Sequence, residues 1–130
     1  MPWVEIFAVL VVSHLAGDFL LQTEWQATHK SGGLGGDPVA RRALLLHVTT
    51  YTLTFVPAFV WLADSLGAGV IGIAALVAGP HLVQDDGRLV AAYIHGVKRS
   101  DVEPGDRLYV MVDQSFHLVT LFLVALVAGG

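Results

Sequence analysis

The sequence contains no cysteine, so disulfide bonds and thiolate metal sites are excluded. It is also poor in charge: 14% of its residues are charged, whereas 55% are hydrophobic, which is unlike an ordinary soluble domain. Its few basic residues form no stripe with interleaved aromatic residues, so no nucleic-acid partner is expected. The scarcity of charged residues and the excess of hydrophobic ones favour a membrane protein. A length of 130 residues predicts one transmembrane domain over residues 1–130.

Four segments are apolar and long enough to cross a membrane, for which about 20 helical residues are needed. Their approximate bounds are 3–22, 39–63, 66–84 and 108–128. No eight-residue window alternates between apolar and polar residues, which argues against strands. The predicted fold is therefore an all-α polytopic membrane protein, a four-transmembrane-helix bundle. Apolar residues at helical spacing between Arg88 and Arg99 also predict an amphipathic helix between spans three and four.

The basic residues predict how the chain is oriented in the membrane. All seven lie between spans one and two, at the adjoining start of span two, or between spans three and four: Lys30, Arg41, Arg42, Arg88, Lys98, Arg99 and Arg107. Under the positive-inside rule this side is cytoplasmic, and both termini lie outside. The N-terminal segment has neither the basic region nor the cleavage pattern of a signal peptide, so it is expected to be retained as a span.

Each predicted span carries ionisable residues, which are rare and costly in lipid and therefore indicate function. Span one contains His14 and Asp18, span two His47, span three His81 and Asp85, and span four Asp113 and His117. Three pairs among them are spaced i,i+4, which places both side chains on one helix face. At 1.5 Å per residue, the histidines of spans one, two and four lie about 11–13 Å from the cytoplasmic ends of their spans. One site in the cytoplasmic half of the bundle is expected.

Imidazole nitrogens and carboxylate oxygens are the ligands that proteins offer to Zn²⁺, Mn²⁺ and Fe²⁺. We therefore predict a divalent metal site, with zinc as the first expectation, manganese or iron as alternatives, and one or two ions. The candidate ligands are His14, Asp18, His47, His81, Asp85, Asp113 and His117. Asp85 and Asp113 are also the candidate catalytic carboxylates, as a general base or as ligands of a second ion.

Metal-dependent hydrolysis of a phosphoester, or of another membrane-associated substrate, is the first functional hypothesis. A metal or proton transporter is the second, because ionisable side chains within bundles also form ion pathways. Haem binding is less favoured, since three carboxylates do not suit an apolar macrocycle pocket. A purely structural metal site stays open as well. The expected partners are membrane lipid, a small-molecule or lipid substrate, and a second copy of the chain in a homodimer.

Smaller expectations concern the glycines and one surface pair. Ser13 and Gly17 are expected to let a neighbouring helix approach closely, and the third span is expected to do so at Gly67, Gly69, Gly72 and Gly79. Asp86 is expected to pair with Arg88 rather than to join the site.

The motifs "HLAGDFLLQTEW…K" in span one, His47 with Tyr51, "HLVQD" in span three and "DQSFH" in span four together resemble a known family. It is the family of small bacterial membrane proteins called domain of unknown function 3307, and the resemblance covers nearly the whole chain. It implies a multi-pass protein of the bacterial inner membrane and supports the site without implying an activity. The run "HLVQDDGR" departs from the family pattern at Asp86, Gly87 and Arg88. A second likeness, of "HLAGDFLLQ" to membrane-bound metal-dependent hydrolases and zinc phosphodiesterases, is confined to this one motif.

Overall fold

A computed structural model describes all residues, Met1–Gly130, and contains helices without strands. The helices are α1 (Trp3–Leu15), α2 (Glu24–His29), α3 (Pro38–Thr54), α4 (Val56–Leu66), α5 (Val70–Asp86), α6 (Arg88–Tyr93) and α7 (Arg107–Gly129). Wider π-helical turns follow α1 and α6, at Ala16–Leu20 and Ile94–Lys98, and a 3₁₀ turn at Gly67–Gly69 joins α4 to α5. The all-α prediction is confirmed.

Three stretches are long and apolar enough to cross a membrane: Trp3–Leu20, Val56–Asp86 and Arg107–Gly129. The second contains a chain reversal, because Gly67 has φ 54° and ψ −132°, which no helix can accommodate. His81 near the end of α5 therefore stacks on Tyr51 of α3, with ring centroids 3.5 Å apart. The stretch is thus two antiparallel helices, and α5 returns along α4 and α3.

The long helices close into a ring in which α1 packs on α7, α7 on α5, and α5 on α3. The first residues of α1 lie beside the last residues of α7, since a Cβ on Gly129 would come within 2.9 Å of the Trp3 backbone. Both termini and the α4–α5 turn consequently share one end of the bundle. The opposite end carries α2, α6, the connecting segments and every basic residue of the chain.

An apolar core fills the end of the bundle that holds the termini. It consists of eleven buried side chains: Ile6, Leu10, Tyr51, Phe55, Ala58, Leu62, Ile73, Val77, Leu121, Val124 and Ala125. A second, smaller core joins Val90 and Ile94 of the α6 segment to Tyr109 and Val112 of α7. The buried polar residues lie between these two apolar regions, so the cores hold the helices that position the site.

The glycine expectations divide into one success and one failure. A Cβ on Gly17 would come within 2.6 Å of the Tyr51 ring, which confirms that this glycine admits α3 closely. The corresponding expectation for the third span is wrong: Gly67, Gly72 and Gly79 have nothing within 4 Å, and Gly69 meets only Leu66 of its own segment. These glycines lie on outward faces of α4–α5, where sequence pattern cannot distinguish a neighbouring helix from open surface.

The junction of α5 and α6 ties down the glycine-rich connection that follows α2. The Asp86 carbonyl accepts from the Gly32 amide at 2.7 Å, and its carboxylate accepts from the Leu34 amide at 2.8 Å. The other carboxylate oxygen lies 2.7 Å from Arg88 Nε, which confirms the expected pair. Gly87 adopts φ 85°, and a Cβ there would come within 2.6 Å of the Tyr109 hydroxyl. This junction therefore turns the chain between α5 and α6 and holds the glycine-rich segment that follows α2.

Candidate metal centre

Two aspartates and two histidines converge inside the bundle. Asp18 comes from the π turn after α1, His81 and Asp85 from α5, and His117 from α7. Each offers one ligand atom, and these atoms all lie within 4.8 Å of one another. All four residues are buried, with 6% or less of their surface exposed. The bundle thus brings an imidazole and carboxylate set to one point, and this cluster could hold a metal ion.

Asp85 lies at the middle of this cluster. Its Oδ2 is 2.7 Å from His47 Nε2 and 2.9 Å from His81 Nε2. Its Oδ1 is 3.1 Å from His117 Nε2. Because His81 is four residues before Asp85 on one helix face, the i,i+4 spacing in the sequence produces the contact that it predicts.

The tautomer of His117 can be assigned from its surroundings. Its Nδ1 lies 2.7 Å from the Asp113 carbonyl oxygen, which can only accept, so Nδ1 must carry a proton. In the neutral ring Nε2 then presents a lone pair toward Asp85 Oδ1, and neither atom has a hydrogen-bond partner. Two electron-rich atoms at 3.1 Å repel each other unless a proton or a metal cation lies between them. Histidine ligands of metals are commonly held by such a bond from the second ring nitrogen.

One more of the converging atoms, on Asp18, also lacks a hydrogen-bond partner. Asp18 Oδ1 has no hydrogen-bond partner, although it lies 3.0 Å from His47 Nε2 and 3.5 Å from His81 Nε2. The two Nε2 atoms of His47 and His81 are themselves 3.0 Å apart. Buried polar atoms are nearly always satisfied in native proteins, so a group of them facing one point is informative. The residues present therefore fit a divalent cation. The Nδ1 atoms of His47 and His81, however, have no hydrogen-bond partner comparable to the Asp113 carbonyl oxygen that orients His117.

Two sequence-predicted residues take other positions. His14 uses both ring nitrogens away from the cluster: Nδ1 lies 2.9 Å from the Tyr51 hydroxyl and Nε2 lies 2.7 Å from Gln114 Oε1. Gln114 in turn donates from Nε2 to Asp18 Oδ2 at 3.2 Å. His14 thus acts on Asp18 through the amide. Asp113 lies outside the four-residue set, with its Oδ1 3.6 Å from His117 Nδ1 and 15% of its side chain exposed.

Sequence reasoning missed three polar residues beside the cluster: Gln22, Lys30 and Gln114. Gln114 had a signal, because it lies beside Asp113 and one helical turn before His117 in the motif "DQSFH". Lys30 approaches Asp85 Oδ2 at 2.9 Å and Gln22 Oε1 at 2.6 Å. Its charge pointed only to membrane topology, since a lysine in a glycine-rich connection gives no indication of a distant partner.

A cavity of about 540 Å³ leads from the cluster toward the end of the bundle that carries the basic residues. Its lining includes the carboxylate-bearing residues Asp18, Asp85 and Asp113, together with Lys30 and Ser31. The size is within the range of small-molecule sites in proteins. The cluster is therefore buried among helices but reachable from one end of the molecule.

The sequence that builds this arrangement matches a known protein family. The model of the family described as "Protein of unknown function (DUF3307)" matches residues 6–129. The chain belongs to this family. The match includes every residue of the cluster, all of α7 and all but the first three residues of α1, so the resemblance seen in the sequence is confirmed over nearly its whole length. No curated protein and no solved structure matches the chain.

Proposed function

We propose that the chain is a metal-dependent hydrolase of the bacterial inner membrane, acting on a phosphoester or another membrane-associated substrate. The observation that carries this proposal is the approach of His117 Nε2 to Asp85 Oδ1 at 3.1 Å, within a set of four ligand atoms that all lie within 4.8 Å of one another. A cation between them, with Asp18 and His81 as further ligands, removes the repulsion and compensates the buried carboxylates. The cavity beside the cluster gives a substrate access.

In this proposal the bundle crosses the membrane four times. The reversal at Gly67 supports the fourth crossing, because α3 and α4 together have the length that a span requires. The basic residues gather at the end of the bundle opposite the termini, which supports a cytoplasmic site and external termini. Leu89 and Val97 of the α6 segment are exposed, and Arg88, Lys98 and Arg99 flank them, as expected for a helix lying at the cytoplasmic surface of the bilayer.

Two imidazole nitrogens and two carboxylate oxygens are a ligand set that suits zinc, with manganese and iron as alternatives. The compactness of the set supports one ion. His47 lies within 3.0 Å of Asp18 and of Asp85, so it is the nearest additional ligand. A second ion would need Asp113 or His14 to move.

The residues around the cation have separate tasks. A divalent ion supplies Lewis acidity to the scissile group and to water. Asp113 is the general base: it lines the cavity, lies outside the four-ligand set, and its carboxylate has the greatest exposure of the three. Asp85 is a ligand, because its oxygens already contact three histidines and Lys30. Gln114 holds Asp18 in place through its amide.

Elemental analysis tests the metal centre directly. The protein is purified in detergent without a metal-binding tag, dialysed, and measured by inductively coupled plasma mass spectrometry. We expect about one zinc, manganese or iron per chain in the wild type, and near-complete loss in His117→Gln, which keeps a polar side chain but removes the imidazole. His95→Gln is the matched control, since His95 is exposed and pairs with Asp101 far from the cluster.

Absence of metal from the wild type, even after reconstitution, would contradict the metal centre. Equal metal in the His117→Gln and His95→Gln variants would contradict the assigned ligands. Circular dichroism and gel filtration of both variants establish that a loss of metal is not a loss of fold.

Transport is a second candidate, and one observation favours it. A continuous polar chain runs from Tyr51 through His14, Gln114 and Asp18 to His47, and on to Asp85 and Lys30. Such chains relay protons in membrane proteins. This series of polar side chains ends at Tyr51 against the apolar core, which offers no polar route to the other end of the bundle. Proton or metal flux into proteoliposomes would favour transport over hydrolysis.

A further inference from the structure

The Lys30 ammonium group is held at the wall of the cavity by two hydrogen bonds, and its third N–H donor has no assigned acceptor. Its Nζ donates to Gln22 Oε1 at 2.6 Å and to Asp85 Oδ2 at 2.9 Å. An ammonium group has three N–H donors, so one of them is unassigned. Gln22 is itself fixed, because its Nε2 donates to the Asp18 carbonyl oxygen at 3.1 Å. The charge of Lys30 is therefore positioned, although its side chain is 14% exposed.

Lys30 is also the only basic residue among those that line this cavity. The other polar lining residues are the carboxylates of Asp18, Asp85 and Asp113 and neutral side chains such as Ser31, Gln84 and Gln114. A cation bound at the cluster would take up the charge of Asp85, which now balances that of Lys30. The cavity would then present the metal ion and the Lys30 ammonium group to a ligand, with Asp113 as the one lining carboxylate outside the ligand set.

We propose that this cavity is an anion site for a phosphate group, which is held between the metal ion and Lys30. The inference rests on the proposed metal centre and adds the substrate class. A phosphate offers several oxygens arranged around one atom, so one oxygen can face the metal while another accepts from Lys30. Lysine serves phosphate as a compact point charge and needs no planar partner. The phosphate group belongs either to a soluble ester or to a lipid headgroup.

The first arm of the test uses inorganic phosphate. Zinc-loaded protein in a non-ionic detergent is titrated with phosphate by calorimetry, in the wild type and in the Lys30→Met and Lys30→Arg variants. We expect Lys30→Met to weaken phosphate binding about tenfold or more, because a hydrogen bond from a charged group is lost. Lys30→Arg keeps the charge and retains part of the affinity. Lys98→Met, a basic residue outside this cavity, is the control and binds phosphate like the wild type.

The second arm distinguishes the two sources of the phosphate group. The protein is reconstituted into phosphatidylcholine vesicles containing phosphatidic acid, extracted again, and the phosphatidic acid retained per chain is measured by mass spectrometry. Retention that is lost in Lys30→Met supports a lipid headgroup. Binding of inorganic phosphate without such retention supports a soluble ester.

Metal content is measured in every variant, so that the two proposals fail separately. Lys30→Met should keep its metal, because Lys30 is not a ligand. If the metal is present but phosphate and phosphatidic acid bind equally to the wild type and Lys30→Met, the anion site is overturned and the metal centre stands. If no variant, including the wild type, binds metal, the metal centre is overturned and the anion site with it.

Discussion

At the scale of the residue, the site separates side chains that face the cluster from those that orient them. His14 and His81 carry the same imidazole and the same i,i+4 relation to an aspartate. His81 contacts Asp85 at 2.9 Å, whereas His14 bonds Tyr51 and Gln114 instead. The contrast arises from Gln114, whose Oε1 accepts a hydrogen bond from His14 Nε2 and whose Nε2 donates one to Asp18 Oδ2. Partners of this kind keep metal ligands in position.

Removal of the Gln114 amide tests this division of roles. Gln114→Leu leaves every proposed ligand in place but leaves Asp18 Oδ2 without its donor. We expect metal affinity to fall by about tenfold to a hundredfold, the usual effect of losing such a partner. The measurement is competition with a chelator of known affinity. Ser115→Ala on the same helix is the control, because Ser115 bonds only the Met111 carbonyl; equal affinity in both variants would refute the role of Gln114.

At the scale of the element, helix contact at the site depends on one glycine. Gly17 lies in the π turn beside Asp18, and Tyr51 of α3 packs directly against it. Tyr51 also stacks on His81 with an interplanar angle of 5° and bonds His14. A single close approach thus positions rings from three helices. π turns recur at functional sites, where they place side chains that a regular helix would aim elsewhere.

Adding one methyl group at this contact should therefore disturb the site. Gly17→Ala places a Cβ 2.6 Å from the Tyr51 ring and 3.3 Å from its Cα, so α3 or the ring must move. We expect a loss of about 1–3 kcal/mol in the free energy of unfolding. Gly72→Ala on α5 is the matched control, since nothing lies within 4 Å and helix propensity favours alanine by about 0.5–1 kcal/mol.

Unfolding by sodium dodecyl sulfate in mixed micelles, followed by circular dichroism, gives both free energies. A Gly17→Ala protein as stable as the Gly72→Ala protein would show that the π turn and α3 are less closely packed than described. Loss of metal in Gly17→Ala alone would connect the contact to the cluster.

At the scale of the whole molecule, the two ends of the bundle differ in chemistry. One end has the termini, the α4–α5 turn and the apolar core, and the other has the basic residues, the cavity and the cluster. In the proposed orientation the second end faces the cytoplasm. The absence of cysteine makes this orientation testable with single introduced thiols.

Ser65→Cys and Glu103→Cys place one thiol at each end, at exposed positions. We expect a membrane-impermeant maleimide added to intact spheroplasts to label Ser65→Cys, because the α4–α5 turn lies outside. Glu103→Cys should be labelled only after the membrane is disrupted. The reverse pattern would place the cavity on the outer side and would contradict a cytoplasmic site.

The all-helical fold and the general location of the site could be predicted, because each follows from the spacing of residues within single segments of the sequence. The i,i+4 pairs identified the polar helix faces, and the break between the predicted spans 39–63 and 66–84 indicated the reversal. The short helix α2 was not predicted, although Thr23 and Gln26 form the capping box that begins it. The partners of Lys30 and His14 could not be predicted, because Asp85 and Gln114 are 55 and 100 residues away in the chain. Such contacts depend on how the helices pack.

The α5–α6 junction has a consequence for how sequences of this family can diverge. Asp85 faces the cluster, whereas the next three residues face the connection: Asp86 holds Gly32 and Leu34, Gly87 makes room for Tyr109, and Arg88 pairs with Asp86. The run "DGR" therefore holds the chain connection in place and lies outside the cluster. Changes at these three positions would alter how the connection is held, while a change at Asp85 would alter the cluster itself.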